Sequence, residues 1–396
     1  MSKPSELDVQ CAAGPGGGRG AGREAIGRRA PRAAFPLLAV LVCAIGSAIG
    51  SSPAGADVVV GVHEASFTPE QAGVLARTKA KSVRTDLAWS DVQPCRGGGA
   101  CEGSRFDFGR FDERYEALSK AGLGPEYLTL ISAPRWATSG CRKTADFCTP
   151  SRRHLDAWKG YVGRVLLRYG PQGSFWKSID APRSHRITNF VLWNEPNHRK
   201  NWNGKASPRE YRRLLAVTRS VFDRVAPAAR LNAGNVAYGG RSTKPPSWLR
   251  ILINRTSAER DFDTLAIHPY SRTPEDVVRK TLGAQRLHGI QRVAITEIGW
   301  GIDKGGSGRT NAKCVRSERE QAGRLTNTFR LLGRRARELV WVSWFDAIDN
   351  DTGSGCNNSP SGKTFGLFED RASQTPYGAK SSLAAFNRFA PSLRRR

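Results

Sequence analysis

Two apolar stretches each run into a glutamate: Phe190-Val191-Leu192-Trp193-Asn194-Glu195-Pro196-Asn197 and Val293-Ala294-Ile295-Thr296-Glu297-Ile298-Gly299-Trp300. A carboxylate at the end of a strand faces whatever lies beyond the sheet, and two of them across one cleft can divide proton transfer and nucleophilic attack between them. That pairing opens a glycosidic bond, one carboxyl protonating the departing oxygen while the other attacks the ring carbon. An isolated Asn-Glu-Pro carries little weight, because turns after strands commonly hold Asn and Pro. What decides is where the two glutamates fall in the fold. Glu64 is a rival carboxylate at the end of an earlier strand candidate, without a comparable motif around it.

Apolar strand candidates recur at Val58 to Val62, Ser82 to Leu87, Gly124 to Ile131, Ile187 to Trp193, Arg230 to Asn235, Phe262 to His268, Arg292 to Thr296 and Leu339 to Trp344. Helical patterns fill the intervals. Several open on a capping residue followed by proline: Thr68-Pro69-Glu70-Gln71, Ser207-Pro208-Arg209-Glu210 and Thr273-Pro274-Glu275-Asp276, the first two spaced as capping boxes. Strands alternating with helices predict a parallel sheet, and eight such units predict a single-domain α/β fold, the closed (β/α)8 TIM barrel. A doubly wound open sheet would carry a glycine-rich turn after its first strand, where this chain has His63-Glu64-Ala65-Ser66. In a barrel, Glu195 follows strand four and Glu297 ends strand seven, so both reach the C-terminal mouth where such folds do chemistry.

Residues 1–56 read as a leader. Ala33 to Ile49 is an apolar run of signal-peptide length, and Ala54-Gly55-Ala56 offers a small-x-small cleavage site, so the expected protein is secreted. An uncleaved membrane anchor is the competing reading, which Pro36 within the run disfavours. The barrel is assigned to 57–390, and 391–396, ending Arg394-Arg395-Arg396, to a basic tail. Cys11 and Cys43 fall in the leader. The other six cysteines pair by proximity as Cys95 with Cys101, Cys141 with Cys148 and Cys314 with Cys356, in loops at the C-terminal face. None has zinc-site spacing, and neither a metal nor a cofactor is expected.

The motifs taken jointly resemble those of glycoside hydrolase clan A, most closely families 39 and 5. They are Val83-Arg84 with Trp89-Ser90 and Pro94, Ala133-Pro134-Arg135-Trp136-Ala137, Trp193-Asn194-Glu195-Pro196-Asn197, His268-Pro269-Tyr270, Thr296-Glu297-Ile298-Gly299-Trp300, and Trp344. The resemblance implies a retaining enzyme with Glu195 as acid/base and Glu297 as nucleophile. It implies that Tyr270 and Arg84 keep Glu297 ionised, that Asn194 meets the sugar 2-hydroxyl, and that His268 lies in the substrate site. Trp344 would stack on the sugar at the cleavage point, with Trp136 and Trp300 as further platforms. The double displacement also requires the pKa of Glu195 to lie above that of Glu297. Each role has a plainer rival: Arg84 could pair with Asp86 or Asp107, His268 could be a strand-end histidine, the tryptophans could be core, and Asp346 could touch substrate or cap a loop. The competing function is a carbohydrate-binding barrel of the cell envelope that has lost turnover.

Charge completes the reading. The chain carries 62 Lys and Arg against 35 Asp and Glu, a formal +27. Basic residues such as Arg212-Arg213, Arg334-Arg335 and Arg337 scatter over helices without interleaved aromatics, so nucleic acid is not the expected partner. The expected partner is a carbohydrate substrate, with an anionic polymer or envelope contact as a further role for the basic surface. Non-reducing peptide mapping of the mature protein is expected to return the three disulfides named above; free thiols at Cys314 and Cys356 would contradict the pairing and weaken the case for export.

Overall fold

The computed structural model describes residues 58–95, 101–142, 145–238, 245–253, 261–287, 292–303, 313–349, 364–370 and 377–393. The expected leader and cleavage site (1–56), Cys356 and Arg394 to Arg396 lie outside the described residues. Among the described residues no helix is long and apolar enough to cross a membrane.

Eight parallel strands close into a barrel in chain order. They are β1 (Val59–His63), β2 (Ser82–Ala88), β3 (Gly124–Ile131), β4 (Asn189–Leu192), β5 (Arg230–Ala237), β6 (Thr264–His268), β7 (Val293–Ile298) and β8 (Leu339–Trp344). Closure is direct, Val60 of β1 lying opposite Val342 of β8 and Val62 opposite Val83 of β2. Eight principal helices follow the strands: α1 (Pro69–Ala76), α2 (Gly109–Lys120), α3 (Leu155–Tyr169), α4 (Pro208–Val225), α5 (Pro245–Ile253), α6 (Pro274–Leu287), α7 (Glu318–Gly333) and α8 (Ser381–Phe389). The predicted (β/α)8 barrel is therefore the observed fold. Strands covered on both faces read as continuous apolar runs, which is why they were visible in the sequence.

Local chemistry starts the helices. Thr68 accepts from the Gln71 N–H while Gln71 reaches back to the Thr68 N–H, a complete capping box at α1. At α4 only half of the expected box exists. Ser207 accepts from the Glu210 N–H, but the Glu210 carboxylate pairs with Arg152 and Arg213, whose full charges compete better than a backbone N–H. At α6 Thr273 accepts from the Asp276 N–H.

Strand ends differ from the sequence reading where the site begins. The β4 strand stops at Leu192, because Trp193 turns to φ +72° and Glu195 to φ +44°. On β5 the ladder runs on to Ala237 across an irregularity at Gly234 and Val236, with Asn235 at φ +52°. The β7 strand extends to Ile298 and so contains Glu297.

Inside the barrel, Tyr127 of β3 and Trp341 of β8 pack together at 4.2 Å between ring centroids, in a cluster with Val191, Ala266 and Ala294. Gly61 of β1 makes room for this: a Cβ there would run into the Trp341 indole and lie 2.9 Å from the Ser82 carbonyl oxygen. Gly61→Ala is expected to lower stability by about 1–3 kcal/mol through overpacking. Thermal denaturation checks this, and an unchanged Tm would refute it.

Candidate active site

Arg84 organises the mouth. The guanidinium is wholly buried, so each N–H needs a partner. Nη1 donates to Glu297 Oε1 at 2.6 Å and to the Thr296 carbonyl at 3.2 Å. Nη2 donates to Asn194 Oδ1 at 3.0 Å, and Nε donates to Thr129 Oγ1 at 3.3 Å. Asp86 lies 3.6 Å from Nη2 as a second, looser counter-ion. Of the two acids weighed as plainer partners for Arg84, Asp86 is thus present, alongside the closer Glu297.

Glu297, 7% exposed, receives a second donor from Tyr270, whose hydroxyl reaches Oε2 at 3.0 Å. Burial and the adjacent Glu297 charge push the Tyr270 pKa well up, so this phenol stays a donor. The Lys313 ammonium lies 3.7 Å from the centre of the Tyr270 ring, a cation over an aromatic face that the sequence did not suggest.

His268 stands between the two glutamates. Its Nε2 lies 3.4 Å from Arg84 Nη1, whose two N–H groups already reach Glu297 and Thr296. Nδ1 is 3.0 Å from Glu195 Oε1 and 3.4 Å from Glu297 Oε2. A carboxylate oxygen of Glu195, one of Glu297 and a His268 ring nitrogen lie within 4.8 Å of one another. A metal ion could use such a spacing; of the two carboxylates, Glu297 already has the Arg84 guanidinium as its cation.

Glu195 sits in a turn fixed by polar ties. Asn235 Nδ2 donates to the Trp193 carbonyl at 3.0 Å and its Oδ1 accepts from Thr296 Oγ1 at 2.6 Å. Asn197 exchanges two 2.9 Å hydrogen bonds with the backbone of Ala237. Tyr211 links the Leu192 carbonyl to the Gly234 N–H. Asn201, another residue sequence reasoning missed, donates to Glu195 Oε2 at 3.4 Å. Burial pushes the Glu195 carboxyl up and is the largest single effect, but the His268 hydrogen bond together with the charges of His268, Lys313 and His198 outweighs it, and the net direction is down.

The tryptophans divide differently from expectation. Trp344 and Trp300 are wholly buried, their indole N–H groups donating to the Phe365 and Ser271 carbonyls, and neither offers a face to a ligand. Trp344 ends β8 facing Phe329 of α7, and side chains alternate along a strand. The neighbouring Phe345 therefore turns the other way, stacked on His63 at 5.1 Å. Trp136 is partly buried, its N–H bound to the Gln93 carbonyl.

A second carboxyl pair lies at the ends of β1 and β8. Glu64 accepts the Ile348 N–H, Asp346 accepts the Ala347 N–H, and the two carboxyls hydrogen-bond to each other. Burial pushes Glu64 up to about 8, and burial with the Glu64 charge pushes Asp346 well up. The two local disulfides are present, Cys95 to Cys101 and Cys141 to Cys148, with Cα atoms 5.4 and 5.6 Å apart. Cys314 is disulfide-bonded.

No protein-family model matches the chain, and no curated protein sequence does. Solved structures do. A family 39 glycoside hydrolase from Bacteroides cellulosilyticus WH2 superposes with a TM-score of 0.60 at 21% identity, over 85% of this chain and 64% of that one. A monomeric beta-xylosidase from Caulobacter crescentus CB15 gives 0.58 at 17% identity, over 83% and 67%. An exo-beta-1,4-mannosidase from an Opitutaceae bacterium gives 0.55 at 15% identity, over 84% and 59%. The structural neighbours are thus family 39 and other clan A glycoside hydrolases, whose (β/α)8 fold this chain shares. The chain spans about two thirds of the length of the relatives named.

Glu64 carries a pH signature. Its folded pKa of about 8 lies above the ordinary 4.5, so stability is fully present below the ordinary value and falls as pH rises through the folded one. Glu64→Gln, which mimics the protonated form, is expected to raise Tm relative to the parent at pH 8 and to lose that advantage at pH 4. An advantage that does not grow with pH would refute the raised carboxyl.

Proposed function

We propose that this chain is a secreted retaining glycoside hydrolase that cleaves β-linked O-glycosides by double displacement. The observation that carries the reading is that a Glu195 and a Glu297 oxygen lie within 4.8 Å of each other, with the buried Arg84 bonded to Glu297. Retaining enzymes hold their carboxyls about 5–5.5 Å apart, too close for the water that an inverting enzyme seats between them.

The roles follow from the partners. Arg84 and Tyr270 both donate to Glu297, which attacks the anomeric carbon as the bond to the leaving oxygen breaks. Glu195 gives that oxygen its proton. In the second half Glu195 takes a proton from water, the hydroxide displaces Glu297, and both carboxyls return to their starting forms. Because its surroundings push the Glu195 pKa down, Glu195 takes up a proton before it can act as the acid. Asn194 spends its carbonyl oxygen on Arg84, which aims its NH2 at a sugar hydroxyl. Phe345 replaces Trp344 as the proposed stacking face, and Trp136 keeps a marginal claim. Export rests on the paired cysteines.

Glu297→Ala is expected to cut turnover of an activated aryl β-glycoside by about 10³-fold or more while the Tm holds, with azide restoring part of it. Proton NMR of the first-formed sugar is expected to show the retained anomer. An alanine variant as active as the parent, or an inverted anomer, would sink the mechanism.

A further inference from the structure

The mouth is electrically lopsided. The β1 and β8 side presents the Glu64–Asp346 carboxyl pair, while the loops after β3 and β4 are basic. Between those loops lies a cleft of about 700 Å3, lined by residues of 139–155 and 202–214. Its base includes Trp202 and Leu214, both nearly buried. Its rim carries Arg152, Arg153, Lys205 and Arg213 against a single carboxylate, Glu210. Glu210 is already taken, accepting from Arg152 at 2.8 Å and from Arg213 at 2.5 Å. Arg153 and Lys205 have no carboxylate partner among the described residues, and both are exposed. The surplus is therefore local to this cleft and adds to the charge of the whole chain.

The walls are fixed. The Cys141–Cys148 disulfide closes the loop after β3. That loop is tied to the one after β4 by Asn203 Oδ1, which accepts the Thr149 N–H at 2.7 Å, and by the Asp146 N–H, which donates to the Lys200 carbonyl at 2.9 Å. The cleft adjoins the acid/base. Trp202 and Asn203 follow Asn201, which donates to Glu195, and the Trp202 ring packs on Trp193 at 5.2 Å. A fixed cleft on whose rim Arg153 and Lys205 lack a carboxylate partner suits a chain of sugar rings bearing acidic groups, because the acids pair with those two cations.

We propose that this cleft binds an anionic polysaccharide, with Arg153 and Lys205 as its principal charge contacts. Its position beside Glu195 makes it an extension of the leaving-group side of the mouth. That placement rests on the hydrolase reading, whereas the binding itself does not.

Affinity electrophoresis of the intact protein in gels holding polygalacturonate, dextran sulfate or neutral dextran tests the binding without requiring turnover. Retardation is expected with an acidic polymer, weakening with salt, and not with dextran. Retardation by polygalacturonate identifies carboxylate as sufficient, and retardation by dextran sulfate alone identifies sulfate. The double variant Arg153→Gln with Lys205→Gln is expected to bind roughly fivefold more weakly or worse. The charge-preserving pair Arg153→Lys with Lys205→Arg is expected to retain binding, and a melting curve checks that each variant is folded. Arg334→Gln with Arg337→Gln removes two exposed charges near the start of β8, at the opposite end of the barrel, and is expected to leave binding nearly intact. Equal losses in the two glutamine pairs would show diffuse attraction to a basic protein and overturn the proposal. So would no retardation by either acidic polymer, equal retardation by dextran, or stronger retention by single-stranded RNA. Absence of glycoside hydrolysis would leave this result standing, and loss of cleft binding would leave the hydrolase reading standing, so the two fail separately.

Discussion

A guanidinium buried inside the mouth of a barrel is the constraint from which the rest of the site follows. Removing a charge from water costs several kcal/mol, and the cost is met only when every N–H is bonded and a counter-ion is close. Arg84 meets it with Glu297 at 2.6 Å, Asp86 at 3.6 Å, and the oxygens of Thr129, Thr296 and Asn194. Those partners come from β2, β3, β7 and the turn after β4, so one side chain couples four segments. The same guanidinium lies 3.4 Å from His268 Nε2, and the other ring nitrogen, Nδ1, lies 3.0 Å from Glu195 Oε1. One imidazole thus stands between Arg84 and Glu195 and ties the two sides of the cleft together.

The backbone around Glu195 serves the same end at some cost. Left-handed φ at Trp193, Glu195 and Asn235 is unfavourable for residues with side chains, by about 1–3 kcal/mol each. The ties of Asn197, Asn235 and Tyr211 hold these conformations, and they are side-chain bonds to backbone groups that the interrupted strands leave open. A regular strand through residue 195 would keep the Glu195 side chain on the alternating pattern of β4. The break frees it to lie beside Glu297.

Much of this was legible in the residues. All eight strands and their closure follow from apolar runs between capped helices, because a doubly covered strand has no polar face to blur the pattern. The two glutamates were legible because their positions at the ends of strands four and seven place them in one mouth. What escaped the sequence was orientation. Trp344 and Phe345 are equally aromatic neighbours, and only the alternation of side chains at the end of β8 sends the first towards α7 and the second to the mouth. The direction of the Glu195 shift escaped too, because it depends on which nitrogen of His268 faces which partner. Likewise the Ser207 box was half formed, since Arg152, distant in sequence, claims Glu210.

The Glu64–Asp346 pair finds its place in the same electrostatics. Asp346 feels Glu297 as well as Glu64, so ionising all of them would set several negative charges around one fully buried cation. Glu297 has Arg84 and Tyr270 as donors; Glu64 and Asp346 have one backbone N–H each. When burial makes ionisation expensive, the proton goes to the carboxyls with the fewest donors. His63 cannot relieve them, since burial and the Arg84 charge push its pKa well down and keep it neutral. Holding a proton between Glu64 and Asp346 leaves Arg84 to balance Glu297, and it puts a hydrogen-bonded carboxyl pair, rather than two anions, beside Glu297.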